Sequence, residues 1–205
     1  MNERKEYIKT ITNGFLKYGI KSMSMDDIAR LLGMSKKTLY QHFKDKNEIV
    51  VESISYIKEL IEQEFCYRTN SKRSYIEREV KHAKRVIEGN KFIKATFIFD
   101  LKKFYPAELA ELSSYKNKLI YKSCCAHIKS GQEQGFVREE IDPEFIAKLC
   151  VTMTNAVITS DISEFSEEDL VSGKHIIDFL DYNLHAVCTP KGIDEYNKIR
   201  KKNKI

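Results

Sequence analysis

Between Met23 and Phe43 the chain reads MSMDDIARLLGMSKKTLYQHF. Two apolar-periodic segments, Met25–Leu32 and Lys36–Phe43, are separated only by Gly33-Met34-Ser35. Each is about two helical turns long, so neither can bury much by itself. Ile28 and Leu32 stand at i, i+4, as do Leu39 and Phe43, which gives each segment one apolar edge. Upstream, Ile8, Ile11 and Phe15 form a third stripe, closed by Gly19 as a C-cap. Ala29 is small enough to let two helices approach. With Met34 in the turn, the three stripes satisfy one another only as a three-helix module. Its second and third helices are then joined by a tight glycine-containing turn, a helix-turn-helix.

The remaining punctuation is helical too. Ser24 with Asp27, Ser35, and Asp45 with Glu48 read as N-terminal caps, and the helix after Asp45 runs to about Arg68. Ser71 or Ser74 opens a segment to Glu88, closed by Gly89-Asn90. Phe92–Phe104 stops before Pro106, which starts a long helix ending near Gly131–Gly135. Asp142-Pro143 opens another, to about Thr159, and Ser166 opens a last one that ends before Pro190. With 3 prolines and 8 glycines in 205 residues, an all-α fold of about nine helices and no strand is expected.

No secretory signal is visible, and the longest uncharged run, Leu149–Ser160, is twelve residues, too short to span a bilayer. A cytoplasmic location with no membrane role is the expectation. Five cysteines without a CxxC or zinc-like spacing fit a reducing compartment and read mainly as buried thiols. No metal or cofactor is expected. HExxH, P-loop, GxGxxG and GxSxG patterns are all absent, so no catalytic residue is assigned and the chain does not read as an enzyme. The net charge of +5 is unevenly spread. Residues 1–50 carry ten Lys/Arg against six Asp/Glu, and 191–205 carry six against two, while the middle is slightly acidic. That distribution suits a polyanionic partner for the N-terminal part, although solvated surface charge gives the same count.

With Leu39 and Phe43 turned inward, Lys36, Lys37, Tyr40 and Gln41 point outward, and Thr38 and His42 lie at the flanks. A helix with such a face fits the major groove of duplex DNA, where base edges are read. Lysine donates to phosphate or guanine, and Tyr and His donate to phosphate oxygens. Lys46 adds a phosphate contact. His42 has a second reading, packing on Phe43.

The stretch DDIARLLGMSKKTLYQHFKDKNEIV resembles the DNA-binding signature of the tetracycline-repressor (TetR) family of transcriptional regulators. The matching parts are Ile28-Ala29, Gly33, Ser35, Thr38-Leu39-Tyr40, His42-Phe43, Lys46 and Ile49, with the upstream Phe15…Gly19 spacing. The close match covers roughly residues 7–50. Lys37 departs from the pattern, since that position often holds a small residue, so the operator preference does not carry over. The resemblance implies DNA contacts at Ser24, Ser35, Lys36, Lys37, Thr38, Tyr40, His42 and Lys46. Ser24 and Ser35 also read as plain helix caps. It further implies a homodimer on a palindromic operator, released by a small-molecule effector bound in a C-terminal helical ligand-binding and dimerisation domain. The expected division is 1–48 for the DNA-binding domain, 49–190 for the larger domain and 191–205 for a basic tail. The tail reads as disordered or as an extra phosphate contact. A helical interaction protein without DNA binding is the alternative.

For the dimer, Leu170, Ile177 and Leu184 recur every seven residues with Leu180 interleaved, and the preceding helix offers Leu149, Met153 and Val157. Two such helices from each of two chains would make a four-helix interface. The competing reading is internal core. For the effector, Phe97, Phe99, Tyr105, Tyr121, Cys124 and His127 are candidates because an apolar pocket with few polar groups is the usual design. A stripe of aromatics is also what ordinary core looks like.

Overall fold

The computed structural model describes residues 3–69, 73–90, 95–159 and 174–203. All the regular structure within them is helical. In chain order the helices are α1 (Glu3–Tyr18), α2 (Met25–Leu31), α3 (Lys36–His42), α4 (Lys46–Thr69), α5 (Tyr75–Asn90), α6 (Ala95–Phe104), α7 (Pro106–Glu133) and α8 (Pro143–Thr159). Two more follow, α9 (Lys174–Val187) and α10 (Pro190–Asn203). The nearest approach to a sheet is an isolated bridge between Val137 and Cys188.

The caps form as the sequence dictates. Ser24 and Asp27 make a reciprocal capping box at α2, and Ser74 does the same with Glu77 at α5. Ser71 and the expected helix start at Ser166 lie outside the described residues. Asp45 Oδ1 accepts from Glu48 N (2.9 Å) to start α4, and Asp142 Oδ1 accepts from Glu144 N (2.9 Å) to start α8. Each satisfies an amide that the helix itself leaves unpaired.

The chain divides into two compact units, 1–63 with 92–116, and 64–91 with 117–205. In the first, α1 packs on α2, α2 on α3, and α6 on α1. Its core holds Ile8, Ile11, Phe15, Ile28, Leu39, Phe43 and Ile49, with Phe97 and Leu101 contributed by α6. Each fully buried side chain of this size contributes about 1.5–3 kcal/mol of apolar transfer energy. In the second unit, α9 and α10 pack on α5 and on each other. Tyr75, Ile76, Ile128, Leu184, Val187 and Tyr196 form its core.

The expectation of a disordered C-terminal tail is not met. Residues 190–203 are a helix. Thr189 Oγ1 caps it by accepting from Gly192 N (3.2 Å), and Pro190 takes the first turn. Tyr196 is completely buried, its hydroxyl donating to Asp181 Oδ1 (3.1 Å). The spacing Ile193, Tyr196, Ile199 is an amphipathic stripe that the five basic residues of the segment obscure.

Candidate nucleic-acid interface

The turn between α2 and α3 is fixed by its backbone. Gly33 sits at φ 68°, a left-handed conformation that side chains disfavour. Gly33 N donates to Arg30 O (3.1 Å) and Met34 N to Ala29 O (3.0 Å), which closes α2 and redirects the chain at once. Ser35 then caps α3 by accepting from Thr38 N (3.0 Å), and the Ser35 and Thr38 hydroxyls lie 2.8 Å apart. Leu39 and Phe43 are fully buried beneath α3. Their burial leaves Lys36, Lys37, Tyr40 and Gln41 exposed on its other side, while Thr38 and His42 are half-buried at the flanks.

Several of these side chains have partners within the chain. Lys36 Nζ lies 3.0 Å from the Asp26 carboxylate, and that hydrogen bond raises its pKa. The His42 ring packs edge-on against Tyr7, centroids 5.2 Å apart, and lies 6.4 Å from Phe43, so the packing reading of His42 is realised. Ser24 Oγ accepts from Asp27 N and donates to the Asp27 carboxylate (2.6 Å), which holds that acid below the usual carboxylate range. Lys46, half-buried at the start of α4, has its pKa lowered by burial and next by the nearby Lys21 charge.

Arg4 is a structural residue of this face that sequence reasoning missed. Its guanidinium lies 4.5 Å over the Phe43 ring. It donates to the His42 carbonyl at the end of α3, to Glu48 (2.7 Å) and to the Glu52 carboxylate on α4. One side chain thus ties α1 to the far end of α3 and to α4. The partners are 38–48 residues away in sequence, so no local pattern signals them. Asp100 is a second missed residue. Buried on α6, its Oδ2 accepts from Lys21 N (2.8 Å) in the turn between α1 and α2. That turn starts at Gly19, whose φ of 86° and closeness to the same carboxylate leave no room for a Cβ without displacement.

The other predicted sites are placed less uniformly. Of the effector candidates, Phe97 is consumed by the core of the first unit and Phe99 is 57% exposed on α6; Tyr105, just after that helix, is half-buried. Tyr121, Cys124 and His127 lie on α7 in the second unit, with His127 buried and its Nδ1 2.5 Å from Glu79. The six therefore fall into two separate groups. Cys124 Sγ is 3.6 Å from Cys150 Sγ, in keeping with thiols that fill core.

Of the interface candidates, Leu149 and Met153 are partly exposed on α8, in line with an exposed Phe145, and Ile177 is half-buried on α9. Leu180 and Leu184 are instead buried within the chain's own second core. Their i, i+4 spacing follows from α9 packing inward on α5 and α10. Leu170 and the side chain of Val157 lie outside the described residues.

Residues 8–52 match the family profile of "Bacterial regulatory proteins, tetR family", the segment that builds α1, α2, α3 and the start of α4. The chain carries a TetR-family DNA-binding head. Comparison with curated protein sequences returned no match. Among solved structures, a transcriptional regulator from Cytophaga hutchinsonii ATCC 33406 superposes with a TM-score of 0.70 at 19% identity, over 92% of this chain and 100% of that one. The ketosteroid transcriptional regulator KstR2 of Mycobacterium tuberculosis gives 0.56 at 17%, over 92% and 97%. AibR, in complex with isovaleryl coenzyme A and operator DNA, gives 0.52 at 17%, over 83% and 95%. At such identities these neighbours establish the fold: a TetR-type head followed by a helical C-terminal domain. No described helix is long and apolar enough to cross a membrane.

Proposed function

We propose that the chain is a homodimeric transcriptional repressor that places α3 in the major groove at each half of a palindromic operator and leaves DNA when a small, largely apolar effector binds. One observation carries the DNA reading. Burying Leu39 and Phe43 against α1 and α4 leaves a face of Lys36, Lys37 and Tyr40 exposed on a helix held rigidly by the Gly33 turn and the Ser35 cap. Such a helix reads base edges, while Lys46, Ser24 and His42 at its margins suit phosphate. Lys36, Lys37 and Thr38 are the residues for base readout. Lys37 is exposed and pairs with no acid among the described residues, so its bulk acts on the groove directly. The same fold in AibR accompanies operator DNA and an acyl-coenzyme A, which supports the pairing of a DNA head with an effector domain here.

Dimerisation is assigned to the α8 stripe Phe145, Leu149 and Met153, with Ile177 and the exposed Tyr182 of α9. An apolar row at i, i+4, i+8 on an outer helix face is costly in water and is relieved by a symmetric copy. The effector is assigned to the second unit, around Tyr121, Cys124 and His127, where the His127–Glu79 pair supplies a polar anchor in apolar surroundings. Both α4 and α7 contribute residues to both units, so a preference of the effector for one arrangement of these helices shifts the population of head spacings.

The test is selection of bound sequences from random DNA, then affinity measurement across salt. Lys36→Ala and Lys46→Ala each weaken binding, and Lys46→Ala makes the salt slope shallower by about one per head, about two for the dimer. Binding that ignores salt and both substitutions would leave a helical interaction protein with no role on DNA.

A further inference from the structure

Lys21 belongs to no part of the helix-turn-helix signature, yet its position is fixed twice. Its backbone N–H is held by Asp100 Oδ2 (2.8 Å), and its ammonium lies 4.4 Å from the centre of the Phe104 ring. A second ammonium, on Lys103, stands 5.4 Å from the same ring and 5.4 Å from Phe99. Both rings are exposed, Phe104 at 42% and Phe99 at 57%. On its other side Lys21 lies close enough to Lys46 for the two charges to repel. The carboxylates in this neighbourhood are engaged by other groups. Asp100 accepts from the Lys21 backbone, Asp27 binds Ser24 and Arg30, and Asp45 caps α4.

We infer that Lys21 and Lys103, seated on Phe104, form a second phosphate-binding site that grips the DNA backbone beside the contact made by Lys46. This rests on the DNA-binding reading above and extends it to residues that are not among the matching motif positions. Three features favour a polyanion here. Like charges kept together in the free protein repel, and a phosphodiester relieves that repulsion. A lysine resting on an aromatic face is partly immobilised, so it loses less rotamer freedom on binding phosphate. The ring still leaves the ammonium's outer N–H groups free to donate. The exposed Phe rings then offer an apolar surface to deoxyribose. Phosphate is the same in every sequence, so the site adds grip without base preference.

Affinity of wild type, Lys21→Ala, Lys103→Ala, the double variant and Lys46→Ala is measured by fluorescence anisotropy from 50 to 200 mM salt. The probes are a duplex selected from random DNA and a random duplex of equal length. Each phosphate contact contributes about 0.9 to the slope of log K against log salt. The double variant is therefore expected to have a slope shallower by about two per head, or about 3.6 for the dimer with its four lost contacts. Over the fourfold change in salt the dimer's affinity falls roughly 150-fold less than that of wild type, and its preference for the selected duplex is unchanged. Lys21→Arg restores most of the slope. An unchanged slope in the double variant, while Lys46→Ala flattens it, overturns the inference and leaves the DNA-binding reading standing. Salt-independent binding by wild type overturns both. Both lysines are at the surface, and matched thermal unfolding shows that the variants are folded; if Ala lowers it, Gln at the same positions serves.

Discussion

Asp26→Asn should make the protein bind DNA more tightly. Asp26 and Lys36 are paired at 3.0 Å, with their side chains 58% and 53% exposed. Lys36 is proposed to enter the groove, so this pair must break before it can reach a base or a phosphate. An ion pair this exposed is worth about 0–1 kcal/mol. Removing Asp26 lifts that cost and also removes a negative charge from the DNA-facing side. Each head then gains up to about 1 kcal/mol, roughly fivefold. A dimer engaging two half-sites gains up to about 2 kcal/mol, roughly thirtyfold. Asp26 also sits in the first turn of α2, where the helix dipole favours an acid, so the variant loses about 0.3–1 kcal/mol of folding stability. The two effects are separable, one by anisotropy titration against an operator duplex and the other by thermal unfolding without DNA. The decisive comparison is a double-mutant cycle. In a Lys36→Ala background most of the gain from Asp26→Asn should vanish, because no lysine is left to release. Weaker binding by Asp26→Asn, or an equal gain with and without Lys36, refutes the reasoning.

Three further outcomes are expected. Arg4→Ala removes the tie between α1, the end of α3 and α4; it lowers stability by about 1 kcal/mol by chemical denaturation and weakens DNA binding through a looser α3. Wild-type behaviour on both counts would dismiss the tie. Tyr196→Ala empties a fully buried aromatic site in α10 and costs about 3–5 kcal/mol in thermal or chemical unfolding; a cost near zero would mean that the C-terminal helix is not docked as described. Cys188 is buried, and burial pushes its thiol up to about 12, so at pH 8 iodoacetamide should modify half-buried Cys125 well before Cys188. Peptide mass spectrometry reads the order, and equal rates would contradict it.

The head was legible from sequence because everything that builds it is local. Ile28, Leu39 and Phe43 declare a buried edge by spacing, Ser24, Ser35 and Asp45 declare caps, and Gly33 declares the turn. The same locality made the exposed face of α3 readable by subtraction. Ties between distant segments left no such trace, so the work of Arg4 on α3 and α4 and of Asp100 on the Lys21 turn emerged only in three dimensions. The apolar spacing of α9 left two readings open, an interface between copies and internal core, and Leu180 and Leu184 take the internal one. A helix buried against its own chain and one buried against a second copy produce the same apolar period. In α10, charge hid the Ile193, Tyr196, Ile199 stripe, because net basicity reports on solvent-facing positions and says nothing of the face beneath.

The first compact unit is assembled from two stretches, 1–63 and 92–116, and this bears on how the protein is made. A ribosome delivers α1, α2 and α3 long before Phe97, Asp100 and Leu101. Until those residues emerge, the turn at Lys21 lacks the carboxylate that holds its backbone, and Phe15 and Ile20 lack part of their cover. The nascent head therefore stays incomplete while about sixty residues after α3 are translated, and a truncated gene ending after α4 would yield a head with an open flank. That delay postpones a fully formed DNA-gripping surface until the chain is more than half synthesised.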